Sequence, residues 1–239
     1  ARGPSLCRKT GMLMNGAPGG LSRTWRGAMV AVAVGLAAFA LLSLFPHALI
    51  HPSVCEEVAV AAGLRPPVSP FPGIYRGIAS FLLHVFPLDA GLSVLRLLGR
   101  LGIAAAAAWT YLAFRGLLPA AFRLKAHMGR IGARVGNVVA AAAALLFVCA
   151  DPVWRAGQFF SPTTVFLVLA VASAALFLRF VGTGGIRSLY CCFALLGMMS
   201  AETALGILFA LLGVAGLLAA VRHAGNPDVP LVSPLVDRL

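Results

Sequence analysis

The sequence predicts an all-α membrane protein, a polytopic helical bundle of about six transmembrane helices with an interfacial helix in its first outer loop. Its 239 residues are 60% hydrophobic and only 11% charged, whereas soluble domains carry about 25% charged residues. The mean hydropathy is +0.94. The apolar residues are grouped in runs close to the length of about 20 residues that a membrane helix requires.

The apolar runs define the expected spans in chain order. They are Ala28–Phe45, Leu92–Phe114, Val135–Ala150, Thr163–Val181, Ser188–Ala201 and Ala204–Val221. The segment Gly197–Thr203 makes the connection between the last two spans, although these two could instead form one long, kinked helix. The run Ile74–Phe86 is too short to cross the bilayer and is predicted to lie at the interface.

Three further segments complete the expected organisation. Residues 1–27 are basic, rich in glycine and proline, and predicted to be disordered. Residues 46–91 form the outer loop of a membrane domain that covers 28–221, and prolines interrupt helix formation there. Residues 222–239 are predicted to be a cytoplasmic tail, and the chain to be a fragment of a longer protein.

Charge predicts the orientation of the bundle. With the N-terminus inside, 14 of the 19 Lys and Arg residues fall in inside segments, as the positive-inside rule requires. The outer side then holds five of the seven acids, namely Glu56, Glu57, Asp89, Asp151 and Glu202. The net charge of +12 is explained by this bias, and without an aromatic-rich basic motif it does not predict nucleic-acid binding.

The acids of the first outer loop are the leading candidates for chemistry. A carboxylate at the membrane surface can act as a general base on a hydroxyl group. Equally, the pattern Ser53 to Glu56 resembles a helix capping box, which would give Glu56 a structural role and leave Glu57 for catalysis. Such a carboxylate could also help to hold a divalent cation, but neither the five cysteines nor His47, His51 and His84 follow a known metal-binding pattern.

Arg96 and Arg100 lie one helical turn apart at the outer end of the second span. Two guanidinium groups in this position could hold a phosphate, or they could extend to the lipid headgroups. Asp151 precedes Pro152, and this pair indicates a helix end and a turn, with a catalytic role for Asp151 as the alternative. Glu202 is a candidate functional residue if it lies within the membrane, and an ordinary turn residue if it does not.

The order of these features resembles a bacterial multi-pass membrane family related to the protein O-mannosyltransferases, within the GT-C class of glycosyltransferases that use lipid-linked sugars. The resemblance runs over most of 28–221. Glu57 matches the acid of the family's first loop, the segment from Pro72 to Tyr75 matches a Pro-Gly-Tyr motif, and Pro87 and Arg96 match a proline and an arginine. The segment after the third span supplies Asp151 and Trp154, and "RSLYCCFALLGMMSAET" is similar to a short glycine-containing span end.

The sequence also departs from this family. Ser53 or Val54 stands where an Asp is usual, Ser161 and Thr163 replace an acid and a Tyr, and Glu202 or Thr203 replaces a His. The resemblance implies transfer of a sugar, with inversion, from a polyprenyl-phosphate donor to a hydroxyl group of a protein or glycan. It implies that Glu57, with Glu56 beside it, is catalytic, and that Arg96, Arg100, Asp151, Trp154, Tyr75 and Glu202 bind substrate.

Two other functions remain open from the sequence, a membrane transporter and a non-catalytic envelope scaffold descended from such an enzyme. No cofactor is identified, and a requirement for a divalent cation is left open. The resemblance places the protein in the bacterial cytoplasmic membrane, among membrane lipids. Its expected partners are the lipid-linked sugar donor and the protein or glycan acceptor. Binding of nucleic acid is not expected.

Overall fold

A computed structural model describes residues 19–45, 52–67, 72–121, 129–183 and 186–224. These residues form only α-helices and short connections, which confirms the all-α prediction for the described chain. The helices are α1 (Gly19–Leu44), α2 (Pro52–Ala61), α3 (Gly73–Val85), α4 (Leu88–Ala121), α5 (Gly129–Cys149), α6 (Asp151–Gln158), α7 (Pro162–Thr183), α8 (Ile186–Glu202) and α9 (Ala204–Ala224).

Three described helices are long and apolar enough to cross a membrane, and a bent pair could add a fourth. The three segments are Trp25–Leu44, Leu88–Leu117 and Pro162–Phe180. The bent pair joins Arg134–Cys149 to Asp151–Gln158 at 70°. The described chain therefore has fewer candidate spans than the six predicted, because α8 has only 17 residues and the apolar described part of α9 is the short stretch Ala204–Gly216.

The first outer loop is more helical than predicted. It contains α2 as well as α3, and α3 matches the short helix predicted at Ile74–Phe86 to within one residue at each end. Gly63 ends α2 with a φ of +75°. Its N–H donates to the Val60 carbonyl, and the Leu64 N–H to the Ala59 carbonyl. These two bonds form a Schellman motif, which uses the left-handed conformation that glycine adopts most readily.

The predicted ends of the chain fall partly outside the described residues. Helix α1 begins at Gly19, so the last part of the segment 1–27, predicted to be disordered, is helical. Residues 1–18 lie outside the description, as does the part of the predicted tail from 225 to 239.

Long helices pack in alternating directions in the main part of the bundle. Gly35 of α1 lies close to Ala104 of α4. Helix α5 runs back along α4, and the Tyr111 hydroxyl of α4 donates to Asn137 Oδ1 of α5 at 3.3 Å. Small side chains allow this close packing. The buried residues of this α1–α4–α5 cluster are Ala31, Val34, Ala38, Leu42, Ile103, Ala107, Tyr111, Ala140, Ala144, Val148, Val153 and Ala156.

A second core lies around α3, α7 and α8. Its buried residues, the α3–α7–α8 cluster, are Ala61, Tyr75, Ala79, Leu95, Phe159, Phe160, Val165, Leu169, Cys192, Leu196 and Met199. The Phe160 N–H donates to the Leu95 carbonyl at 3.0 Å, which joins the start of α7 to α4. Gly99 makes this approach feasible, because a Cβ there would lie 2.6 Å from the backbone of Phe159 and Phe160.

Helices α8 and α9 form an antiparallel hairpin, so they are two helices and not one kinked helix. A Cβ at Gly213 would lie 2.9 Å from Leu196 Cδ1, whereas a continuous helix would separate these residues by about 25 Å. The break is at Thr203, and Gly197, placed in the connection by the sequence analysis, lies inside α8. Thr203 begins α9 by accepting a hydrogen bond from the Gly206 N–H at 3.0 Å.

The connections collect the acids at one end of the bundle. We call this the carboxylate end: it comprises α2, α3, α6, the first turns of α4 and α7, and the α8–α9 turn. Every acid in the described chain lies there, namely Glu56, Glu57, Asp89, Asp151 and Glu202. The opposite end holds arginines such as Arg26, Arg115, Arg134 and Arg187. The chain thus separates charge of opposite sign along the bundle axis, whichever side of the membrane each end occupies.

Candidate functional site at the carboxylate end

Three helices bring four polar side chains together at the carboxylate end. Glu57 comes from α2, Tyr75 and Arg76 from α3, and Glu202 from the last residue of α8. The Glu57 carboxylate accepts a hydrogen bond from Arg76 Nε at 3.3 Å. Their side chains are only 27% and 17% exposed. The ion pair therefore has reduced access to water and fixes the α2 carboxylate against α3.

Glu202 is fully buried. Its Oε2 accepts hydrogen bonds from the backbone N–H groups of Ile74 at 2.9 Å and Tyr75 at 3.1 Å. These donors belong to the first turn of α3, where helix N–H groups lack partners within the helix. Gly73 allows the approach, since a Cβ there would lie 3.1 Å from the Ala201 carbonyl oxygen.

The electrostatics of Glu202 follow from its position. Burial raises the pKa of this carboxyl group, and the two N–H donors from Tyr75 and Ile74 partly offset the rise. The neighbouring Glu57 carboxylate raises the pKa further, and Arg76 lowers it. The second oxygen, Oε1, is buried and has no hydrogen-bond partner among the described residues.

Tyr75, whose N–H binds Glu202, has a fully buried side chain. Its ring packs against Phe160 with centroids 5.5 Å apart. Burial, followed by the charges of Glu57 and Glu202, raises the pKa of the phenol well above its usual value. The hydroxyl has no partner within the described chain, so Tyr75 is a neutral, buried side chain that does not face a substrate in this conformation.

The remaining acids lie at the surface of the carboxylate end. Glu56 forms an exposed ion pair with Arg65 at 3.8 Å. The side chain of Ser53, the other member of the predicted capping box, is not among the described side chains. Asp151 pairs with Arg155 at 3.0 Å, four residues later on α6, and both side chains are mostly exposed. Trp154 is half-buried and packs on the α1–α4–α5 cluster.

The arginines of α4 do not join Glu57 and Glu202. Arg96 is exposed, and Arg100 is half-buried one turn farther along the helix. The Nε of Arg100 is buried without a hydrogen-bond acceptor in the described chain. No acid of the described residues forms an ion pair with either arginine, so both have guanidinium groups that an anion could bind.

Ser161 and Thr164, by contrast, form a helix cap. Ser161 Oγ accepts a hydrogen bond from the Thr164 N–H at 3.3 Å, and Thr164 Oγ1 accepts one from the Ser161 N–H at 3.2 Å. Thr164 Oγ1 also donates to the Ala156 carbonyl at 2.6 Å. Pro162 follows the capping serine at the first helical position, where proline is favoured. Ser161 stands where the family described above has an acid, and here it caps the start of α7. Thr163 is exposed.

Sequence reasoning missed two features of this site. It did not assign Arg76 as the partner of Glu57, although an arginine in an otherwise apolar interfacial run was a usable sign. It also treated Glu202 as a substrate-binding or turn residue, and no local pattern connects it to α3. Across the described chain, no three His, Cys, Asp or Glu side chains are grouped so that they could hold a metal ion.

Comparison with protein-family models, with curated proteins and with solved structures finds no match to this chain.

Proposed function

We propose that this chain is a membrane glycosyltransferase that moves a sugar from a polyprenyl-phosphate donor to a hydroxyl acceptor at the carboxylate end. The observation that supports this best is the Glu57 carboxylate, which is partly accessible and is held in one orientation by Arg76 at 3.3 Å. A base that must meet a hydroxyl group needs both access and a fixed direction.

The proposed step is a single displacement. The acceptor oxygen attacks the anomeric carbon as Glu57 takes its proton, so that a new C–O bond forms. The bond from that carbon to the phosphate oxygen breaks, and polyprenyl phosphate leaves with the electron pair. Attack on the face opposite the leaving group inverts the anomeric centre.

A leaving phosphate requires positive charge nearby. Arg96 and Arg100 are suited to this role because they lie one turn apart in the first part of α4 and have no acidic partner in the described chain. Two guanidinium groups form charge-assisted hydrogen bonds to phosphate oxygens. The lipid tail of the donor would remain in the bilayer while its phosphate reaches the level of these residues.

The other predicted substrate-binding residues divide into two groups. Tyr75 and Glu202 are fully buried, so their contribution is to hold α3 in place. Asp151 and Trp154, on α6, remain candidates for contact with the acceptor, a protein or a glycan. A divalent cation is not assigned to any described group of side chains.

The proposed topology has six crossings with the N-terminus inside a bacterial cytoplasmic membrane. The α8–α9 hairpin would add two short crossings to α1, α4, α5 and α7. The alternating directions of the long helices and the separation of acids from arginines support this arrangement.

The test is transfer of a labelled sugar from a synthetic polyprenyl-phosphate sugar in proteoliposomes. Loss of a general base costs about a hundredfold in rate or more, so Glu57→Gln should lose activity by that factor while its thermal unfolding is little changed. Asp89→Asn is the control, because Asp89 is an exposed acid of the same end to which no role in the reaction is assigned. Full activity in Glu57→Gln would remove Glu57 from the reaction.

A second candidate is a non-catalytic scaffold that binds the lipid-linked sugar. It is favoured by one observation, namely that both acids of the site are engaged inside the protein, Glu57 with Arg76 and Glu202 with α3. Binding of the donor by wild-type protein without turnover on any hydroxyl acceptor would favour the scaffold over the enzyme.

A further inference from the structure

The two hydrogen bonds of Glu202 join parts of the chain that are 127 and 128 residues apart. Helix α3 has no side-chain cap of its own, since Pro72 at its N-cap makes no such hydrogen bond. Glu202 supplies this cap from the end of α8. We call this pair of bonds the Glu202 anchor.

The anchor is favourable in its geometry and costly in its solvation. The N-terminus of α3 carries a partial positive charge, and the C-terminus of α8 together with the carboxylate carries a negative one. A carboxylate with no exposed surface, however, loses its hydration, and only part of this loss is recovered from two N–H donors. The two hydrogen bonds to α3 are the contribution that offsets this cost.

Helix α3 is also the element that orients Glu57. Arg76 follows Tyr75 directly, so the residue that binds the Glu57 carboxylate is next to a residue held by the anchor. Displacement of the first turn of α3 would therefore move Arg76 and release Glu57. The link runs from Glu202 through the backbone of α3 to Arg76, and from there to α2.

We propose that Glu202 is a positioning residue which docks α3 onto the α8–α9 hairpin and so fixes Glu57, and that protonation of Glu202 strengthens this docking. The catalytic part of this inference rests on the proposed function, because it takes Glu57 as the base. The docking of α3 itself does not depend on that function.

The groups that face Glu202 define its response to pH. Glu57 faces it from α2, and Arg76 and Tyr75 face it from α3. The charged groups in the first part of α4 are Asp89, Arg96 and Arg100, and none forms an ion pair with Glu202. The first turn of α7 and the residues of α8 and α9 next to Glu202 contain no other titratable side chain.

The direction of the pH effect follows from linkage. The pKa of Glu202 is raised when α3 is docked, so the docked state binds the proton more tightly than the open state. Docking is then firmest below the ordinary glutamate pKa, about 4.3, and weakens as pH rises through the raised value. A neutral glutamine would keep an acceptor oxygen for the two N–H groups and would remove this dependence.

The test measures how often α3 leaves its position. Ala79 is fully buried on α3, so a cysteine there reacts with a thiol reagent only when α3 opens. The protein used carries Ala79→Cys, and its five native cysteines are changed to alanine. It is reconstituted in proteoliposomes. The labelling rate is corrected for the intrinsic reactivity of the thiol at each pH.

Glu202→Ala should raise the labelling rate by about tenfold, equivalent to about 1.4 kcal/mol of docking free energy. The rate in the parent should increase as the pH rises above the ordinary glutamate pKa, about 4.3, whereas Glu202→Gln should label slowly and without this pH dependence. Glu56→Gln, an exposed acid of the same end, should behave as the parent does. Parent-like labelling of Glu202→Ala would overturn the docking role, and a pH profile unchanged in Glu202→Gln would overturn the role of the proton.

If Glu202→Ala does not accumulate, Ile74→Pro provides a second variant. It removes one of the two donor N–H groups at a position in the first turn where proline is tolerated, and it leaves the carboxylate in place. A rise of about threefold, or about 0.65 kcal/mol, is expected. An unchanged rate would overturn the proposal.

Sugar transfer by the same variants separates the two proposals. Faster labelling of Glu202→Ala with a fall in transfer supports both. Faster labelling with transfer unaffected by Glu57→Gln contradicts the proposed function and leaves the anchor intact. Parent-like labelling with transfer that depends on Glu57 contradicts the anchor alone.

Discussion

The α1–α4–α5 cluster and the α3–α7–α8 cluster solve the packing of a membrane protein in different ways. The first is built from alanine and other small apolar residues on long helices. Its buried Tyr111 hydroxyl has a partner in Asn137, and the small Ser43 hydroxyl on α1 is buried without one in the described chain. The second includes a short surface helix, and beside it lie the buried Glu202 carboxylate and the buried Tyr75 phenol. Glu202 Oε1 and the Tyr75 hydroxyl have no partner in the described chain. Polar groups are costly in such positions. The second region is therefore the one that buries a carboxyl group, which costs more to bury than a hydroxyl group.

The largest expected effect is a collision in the second region. A Cβ at Gly99 would meet the backbone of Phe159 and Phe160 at 2.6 Å, whereas at Gly35 it would meet the Ala104 carbonyl oxygen at 3.1 Å. Gly99→Ala should therefore lower the free energy of unfolding by about 3 kcal/mol, and Gly35→Ala by about 1 kcal/mol. Denaturation of the detergent-solubilised variants measures both, and equal losses would contradict the packing described for α4.

The cap of α7 gives the next effect. Thr164→Val keeps the shape of the side chain but leaves the Ala156 carbonyl and the Ser161 N–H without their partner, at a cost of about 2 kcal/mol. Thr163→Val, at an exposed position, is the control and should be nearly neutral. The same unfolding assay is used. If the two variants were equally stable, the cap would not hold α7 in place.

Loss of a tyrosine hydroxyl from each region allows their stabilities to be compared directly. Tyr111→Phe removes a hydrogen bond to Asn137 and should cost about 1 kcal/mol. Tyr75→Phe removes a hydroxyl without a described partner, so it should be neutral or slightly stabilising. Thermal unfolding of the two variants, side by side, measures the difference. A loss in Tyr75→Phe as large as that in Tyr111→Phe would show that the buried phenol is satisfied by a group outside the described chain.

The smallest effect concerns the surface of the carboxylate end. Arg155→Ala breaks the exposed pair with Asp151, and a pair of this kind contributes about 0.5 kcal/mol or less. Unfolding in low and high salt should show little change. A loss well above this value would indicate that α6 is held by its charges and not by the packing of Trp154.

Much of the fold was predictable because it depends on local composition. The spans around α1, α4, α5 and α7 were found from their apolar runs, and α3 was found as a short helix. Asp151-Pro152 was interpreted as a helix end, and α5 does end just before it. Boundaries were less accurate, since α4 extends beyond the predicted span at both ends.

The site was less predictable because its contacts are not local. Glu57 and Arg76 are separated by a proline-rich connection, and Glu202 reaches α3 from the far part of the chain. Neither pairing leaves a periodic pattern. The cap in Ser161-Pro-Thr-Thr is different, since serine followed by proline is a local signal for the start of a helix. The described chain shows fewer candidate spans than the six predicted because α8 and the apolar described part of α9 are short.

The separation of charge between the two ends of the bundle is tested most directly by labelling from each side of the membrane. Cys55 is a native, exposed cysteine of α2. Ser188→Cys places a second probe in the first turn of α8, at the end of the bundle opposite the carboxylate end. Each would be the single cysteine of its chain. An impermeant maleimide added to intact cells should label Cys55 and should reach position 188 only after the membrane is permeabilised. Labelling of both probes from the same side would contradict the arrangement on which the proposed enzyme depends.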